Sequence, residues 1–209
     1  MTAPLDIREL RAEVARRLGE KRRAHVEAVA ETAGEIAAGG SWPPDVVEAV
    51  LRAAWIHDLW KEEPVEAWVR VITAGGWDPD PWARAHAPHL LHAAAAAAWA
   101  VGQGEQDPRI VEAVRHHPTG HPEWDAVGRI LFVSDFCEPT RGFAAALDTA
   151  SIRARAGEGA SGLEEAARRV LAIRLGWLIE RSRPVHPRSW QAWNAWTPAA
   201  RDEPAGEER

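Results

Sequence analysis

Helical periodicity, broken at intervals by glycine and proline, is the feature that most constrains this chain. Leu5, Ile7, Leu10, Val14 and Leu18 recur at helical intervals, and Glu20 to Ala38 continues with Val26, Val29, Ala33 and Ile36 on one side before Gly39-Gly40. A helix start follows Trp42-Pro43-Pro44-Asp45, and Val46, Val47, Val50, Leu51, Ala54 and Trp55 carry it to His57-Asp58. Further helices are expected over Pro64–Thr73, His89–Val101 and, with Asp107 as N-cap and Pro108 in its first turn, up to His116. Trp124–Phe136, Gly142–Arg155 and Gly162–Arg183 complete the set, and Asp78-Pro79-Asp80-Pro81 reads as a turn. No alternating strand pattern flanked by hairpin turns occurs, and there is no internal repeat. The expectation is an all-α bundle with C-terminal helices packed on it, one domain over residues 1–200, and a polar, disordered tail over 201–209.

A chain of 209 residues with 46% hydrophobic content is long enough for one real core and too short for two comfortable ones. Its longest apolar run, Ala93–Val101, is mostly alanine and less than half of what a bilayer requires, so no membrane association is expected. Met1–Leu10 lacks the apolar core of a signal peptide, and the single cysteine, Cys137, cannot form an internal disulfide. Both readings point to the cytoplasm. A net charge of −6 argues against general nucleic-acid binding, which needs a basic footprint. It leaves room for a small phosphorylated substrate, because bound cations make a local positive site. Twelve tryptophans with no tyrosine read mainly as core filler and helix anchors. Trp190, Trp193 and Trp196 have helical spacing; they either fold back onto the core, the preferred reading, or meet a second subunit in a homodimer.

The residues with chemistry are His25, the pair His57-Asp58, His92, His117 and Asp135, each on a different expected helix or at its end. A helical bundle brings side chains from successive helices to one point. Neighbours on a helix point about 100° apart, so adjacent ligands serve one metal cluster only near a helix end or at the edge of the core stripe. Imidazole plus carboxylate without thiolate suits iron, manganese, cobalt, nickel or zinc and is poor for magnesium alone. Two such ions hold a bridging water or hydroxide and polarise a phosphoryl group. Taken singly, each histidine is more often a hydrogen-bonded core residue than a ligand. His86, His121 and His186 read as exposed or capping residues.

The local contexts lift the set above that background. The runs Arg22–Ala33, Ala53–Lys61, Pro88–Ala93, Ala113–Gly120 and Val133–Arg141 resemble, in order, those of the YqeK family of HD-domain proteins, over about Arg8 to Arg183. The resemblance implies an HD-domain helical bundle with a di-metal site, commonly iron, and symmetrical hydrolysis of diadenosine tetraphosphate to two ADP by a bridging hydroxide. On that pattern His25, His57, Asp58 and Asp135 hold one metal, and Asp58, His92 and His117 the second. The family string aligns His117, not His116, with the ligand; His89 is at best a supporting residue. Asp58 and Lys61 are the expected catalytic pair. Lys61, Arg141, His117 and Pro118, with Arg181 and Arg183 as weaker candidates, are expected to meet the substrate. Glu138 is a candidate partner for Arg141 or a ligand imidazole. Pro118 stands where the family has threonine, removing a hydroxyl and an amide donor. Two alternatives stay open: an HD phosphohydrolase for another nucleotide, and a nucleotide-binding regulator without turnover.

Overall fold

The computed structural model describes residues 4–198, and within them the chain is helical with no strand. The tail expected to be disordered lies outside the described residues. The helices are α1 (Ile7–Arg17), α2 (Glu20–Gly39), α3 (Pro44–Ile56), α4 (Val65–Ala74), α5 (Pro81–His86), α6 (Leu91–Gly102), α7 (Pro108–His116), α8 (Ala126–Cys137), α9 (Thr149–Ala156), α10 (Ala160–Glu180) and α11 (Pro187–Trp196). A 3₁₀ turn at Pro88–Leu90 leads into α6. Among the described residues, no helix is long and apolar enough to cross a membrane.

Local chemistry sets the boundaries. Asp6 and Glu9 form a reciprocal capping box on α1, and Asp107 and Asp125 cap α7 and α8 through backbone N–H groups. α8 is the central element. All its residues from Ile130 to Cys137 are buried, and α2, α3, α7, α9 and α10 surround it. Such all-round apolarity is what a fully enclosed helix requires. The alanines of α6 let it lie close to α4 and α7. Among the tryptophans, Trp55, Trp68, Trp124 and Trp196 are buried, whereas Trp177 and Trp190 are exposed. Trp196 folds back as preferred, stacked 6.0 Å from Trp124 and edge-on to Phe132.

Two expectations are corrected. The helix expected over Gly142–Arg155 begins only at Thr149, because residues 142–148 form successive turns and Asp148 enters the left-handed region at φ 47° to cap α9. Phe143, Ala145 and Ala146 are exposed, so a helix there has no core to face. The Asp78–Pro81 turn runs directly into α5, whose signal is Asp80 as N-cap and Pro81 at the first position.

Candidate metal centre

The side chains converge where the ends of α3 and α7 and the start of α6 come together beside α2 and α8. His25 comes from the first half of α2 and His92 from the start of α6. His57 and His117 are the C-cap residues of α3 and α7, and Asp135 sits near the end of α8. Asp58 occupies the middle. Its Oδ1 lies 3.0 Å from His92 Nε2 and 3.6 Å from His117 Nε2. Its Oδ2 lies 3.7 Å from both His25 Nε2 and His57 Nε2. His25 Nε2 is 3.3 Å from Asp135 Oδ1. Because α3 ends at Ile56, the two neighbours His57 and Asp58 both turn inward, as adjacent ligands require.

All four imidazoles present Nε2 to the centre, and the opposite nitrogen fixes them there. His57 Nδ1 donates to the Ala54 carbonyl at 2.7 Å and His117 Nδ1 to the Val114 carbonyl at 2.9 Å. His92 Nδ1 donates to the His89 carbonyl, and His25 Nδ1 meets Glu138 Oε1 at 3.0 Å. In three cases the acceptor is the backbone one turn earlier. Nδ1–H donation leaves Nε2 with its lone pair, the form a metal requires. His57 Nε2 and Asp58 Oδ1 are buried with no hydrogen-bond partner. Buried polar atoms are rarely left so, and both point into the cluster.

Electrostatics agree with a cation-accepting site. Burial pushes His57 down to about 4, and it also lowers His92 and His117, so these rings are neutral at pH 7. Asp58 is held well below the usual carboxylate range against burial, chiefly by His57, and Asp135 likewise by Arg141. The geometry and donor set fit transition-metal ions.

A ring of cations surrounds the carboxylates. Arg22 Nη1 lies 2.8 Å from Asp58 Oδ2, and Lys61 Nζ is 4.0 Å from Asp58 Oδ1 and 3.1 Å from His92 Nε2. Arg141 Nη2 reaches Asp135 Oδ1 at 2.5 Å, and Arg174 Nη2 reaches Asp135 Oδ2 at 2.8 Å.

No family model matches the chain. It is 27% identical over 182 residues, 87% of this chain and 92% of the relative, to a symmetrical bis(5'-nucleosyl)-tetraphosphatase of Bacillus subtilis. It is also 27% identical over 106 residues, 50% of this chain and 54% of the relative, to a protein of the same name from Halalkalibacterium halodurans. A crystal structure of a predicted HD superfamily hydrolase involved in NAD metabolism from Clostridium acetobutylicum superposes with a TM-score of 0.80 at 23% identity, over 93% of this chain and 98% of the other. The chain is similar in sequence to the YqeK-like tetraphosphatases and shares the fold of an HD superfamily hydrolase. The resemblance and the all-α HD architecture read from the sequence are thereby borne out.

In this HD fold the six expected ligand residues lie in one cluster, with Lys61 and Arg141 at its rim. Arg141 is turned back onto Asp135, and Glu138 serves both named candidates, 3.0 Å from His25 and 3.6 Å from Arg141. His117 faces Asp58, and the Pro118 carbonyl accepts from Arg174 at 3.2 Å. Arg181 instead lies over the Trp177 ring, 3.7 Å from Glu180, and Arg183 is exposed; neither touches the cluster. His186 caps α11, and Cys137 is buried with its thiol pushed up to about 12, inert as a core residue.

Two residues escaped the sequence reading. Arg22 stands one turn before His25 on the same face of α2, a signal that was available. Arg174, in the middle of α10, also donates to the carbonyls of His117 and Pro118 and covers the Phe132 ring at 4.5 Å. Nothing local distinguishes it from the other arginines of that helix.

Proposed function

We propose that this chain cleaves diadenosine tetraphosphate symmetrically into two ADP, using two transition-metal ions, iron first among them. The observation that carries the reading is Asp58. Both its oxygens face imidazole Nε2 atoms, two on each side, an arrangement in which one carboxylate would be shared by two half-sites. His25, His57, Asp58 and Asp135 would hold one ion, and Asp58, His92 and His117 the other. Bound there, the ions would supply Lewis acidity toward phosphoryl oxygen and an acidified water.

The chain's own part is charge and position. Arg22, Lys61 and Arg141 border the cluster and are each partly exposed. They are the groups that would take phosphate oxygens once the carboxylates they pair with are otherwise occupied. Lys61 offers a point charge beside Asp58 and His92, and Arg141 a planar fork suited to a phosphate. The net reaction adds one water. A new P–O bond forms at an inner phosphorus, the central P–O–P bond breaks, and each half departs as ADP. Neither a serine nor a cysteine nucleophile is required.

The test is incubation of the purified, metal-loaded protein with diadenosine tetraphosphate, products resolved by chromatography, beside D58A. ADP alone, absent with D58A, is expected. AMP plus ATP would mean asymmetrical cleavage. No product from metal-replete protein would favour another nucleotide substrate, and tight nucleotide binding without turnover would favour a regulator.

A further inference from the structure

Behind the metal centre lies a cavity of about 230 Å³. Only the thickness of the chain separates the two. Leu91 lines the cavity while its neighbour His92 faces Asp58; His116 lines it while His117 faces Asp58. Its floor is apolar, made of the buried Ile72, Ala83 and Leu91. Its mouth opens beside the exposed Asp78 and Pro81.

The polar side of this cavity carries two arginines, Arg115 and Arg188, and two aspartates, Asp78 and Asp80. Arg188 lines it, is half-buried, and has no carboxylate within 4.0 Å among the described residues. Arg115 lines it too, with its guanidinium 4.5 Å from the Trp77 ring and its nearest carboxylate, Glu112, at 3.8 Å. The ten-residue helix α11 begins at the cavity wall, adding the positive end of its dipole. Of the two aspartates, Asp78 is exposed at the mouth and Asp80 is already engaged. Asp80 accepts the Ala83 N–H with Oδ1 and lies 3.2 Å from His186 Nε2 with Oδ2. A half-buried arginine without a close counter-ion, as Arg188 is, is costly unless an anion joins it.

From this arrangement we infer that the cavity is a binding pocket for a phosphorylated nucleoside, its base on the Ile72–Leu91 floor and its phosphate on Arg188 and Arg115. An inorganic anion alone would not use the apolar floor, and an uncharged base would not use the arginines. The volume lies just below the roughly 300–1,000 Å³ of drug-sized sites, which suits one nucleoside-sized group and not a whole dinucleotide. The nucleotide has two possible sources: free ADP, or one arm of the tetraphosphate. The second source rests on the proposed hydrolase reading; the pocket does not.

Calorimetric titration of the metal-free full chain with ADP, adenosine and inorganic phosphate tests the pocket without any turnover. ADP is expected to bind more tightly than either fragment, and R188A to weaken it roughly 10- to 100-fold, the effect of losing a charged hydrogen bond. R115A is the second variant should R188A unfold, and K61A reports on the metal centre. No ADP binding by the wild-type chain would overturn the pocket. So would full affinity in both arginine variants, or loss of ADP binding in K61A alone. With metal-loaded protein, a raised KM in R188A identifies the substrate arm; loss of ADP inhibition at constant KM identifies free nucleotide. A chain that binds ADP through Arg188 yet cleaves no tetraphosphate refutes the hydrolase reading and leaves the pocket standing.

Discussion

Arg174 Nη2 lies 2.8 Å from Asp135 Oδ2, so a residue of α10 holds one oxygen of a candidate ligand on α8. The same guanidinium donates to the carbonyls of His117 and Pro118. One side chain therefore ties the carboxylate of Asp135 to the end of α7 that carries His117. Replacing it with methionine should leave Asp135 under-compensated and destabilise the metal-free protein by about 3 kcal/mol, the low end for breaking a buried pair. Denaturant unfolding gives that number. Metal content should fall in R174M and recover partly in R174K; unchanged metal content in R174M would leave Arg174 a packing residue only.

Glu138 accepts from His25 Nδ1. E138A removes the group that orients this ring, and metal affinity should drop about 10- to 100-fold, as for other outer partners of ligand histidines. E138Q retains an acceptor and should lie between. Competition with a chelator measures both.

Lys61 borders Asp58 and His92 without being an expected ligand. K61A should keep its metal and lose on the order of 10²–10³ in kcat, the scale for one charge-stabilising donor. Normal turnover of a metal-replete K61A would take Lys61 out of the mechanism.

Gly128 has no room for a side chain, since a Cβ there would stand 2.3 Å from Trp124 Cγ. G128A should cost about 1–3 kcal/mol by overpacking, despite alanine's better helix propensity. At roughly 2–4 °C per kcal/mol for a chain of this size, a thermal melt detects it.

Acid should destabilise the metal-free protein well before its carboxylates titrate. His57 and His116 are pushed down to about 4 by burial, and His92 and His117 are lowered for the same reason. The unfolded chain binds protons on these rings near 6.5, so it holds more protons than the folded one below that pH. Their stability is full above about 6.5 and is lost progressively as pH falls toward about 4. His25, raised by Asp135, runs the other way but is one ring against these four and the likewise lowered His89, His121 and His186. A Tm that stays level from pH 7 to 5 would contradict this balance.

The helices were legible where punctuation was strong. Gly39-Gly40, Asp107-Pro108 and the Trp42–Pro44 break each mark a boundary that the fold keeps. Periodicity failed at 142–148, where small apolar residues imitate a helical face that has nothing to cover. It also missed α5, which at six residues is too short to show a period. The six residues of the cluster were legible as candidates because each sits in a distinctive local string. Arg174 was not, because its role is tertiary: in sequence it is one arginine among several on α10, and only packing brings it to Asp135. Arg181 and Arg183 show the converse, cations near a helix end that the fold leaves facing outward.

The three rings anchored to carbonyls one turn earlier have a last consequence. His57, His92 and His117 take their tautomer and tilt from helical backbone, not from the ion they would receive. The cage is therefore cast by folding itself, and its orientational entropy is already spent when a cation arrives. Stripping and reloading the centre should then be a matter of ion exchange in a standing mould, open to whichever imidazole-loving metal the surroundings offer.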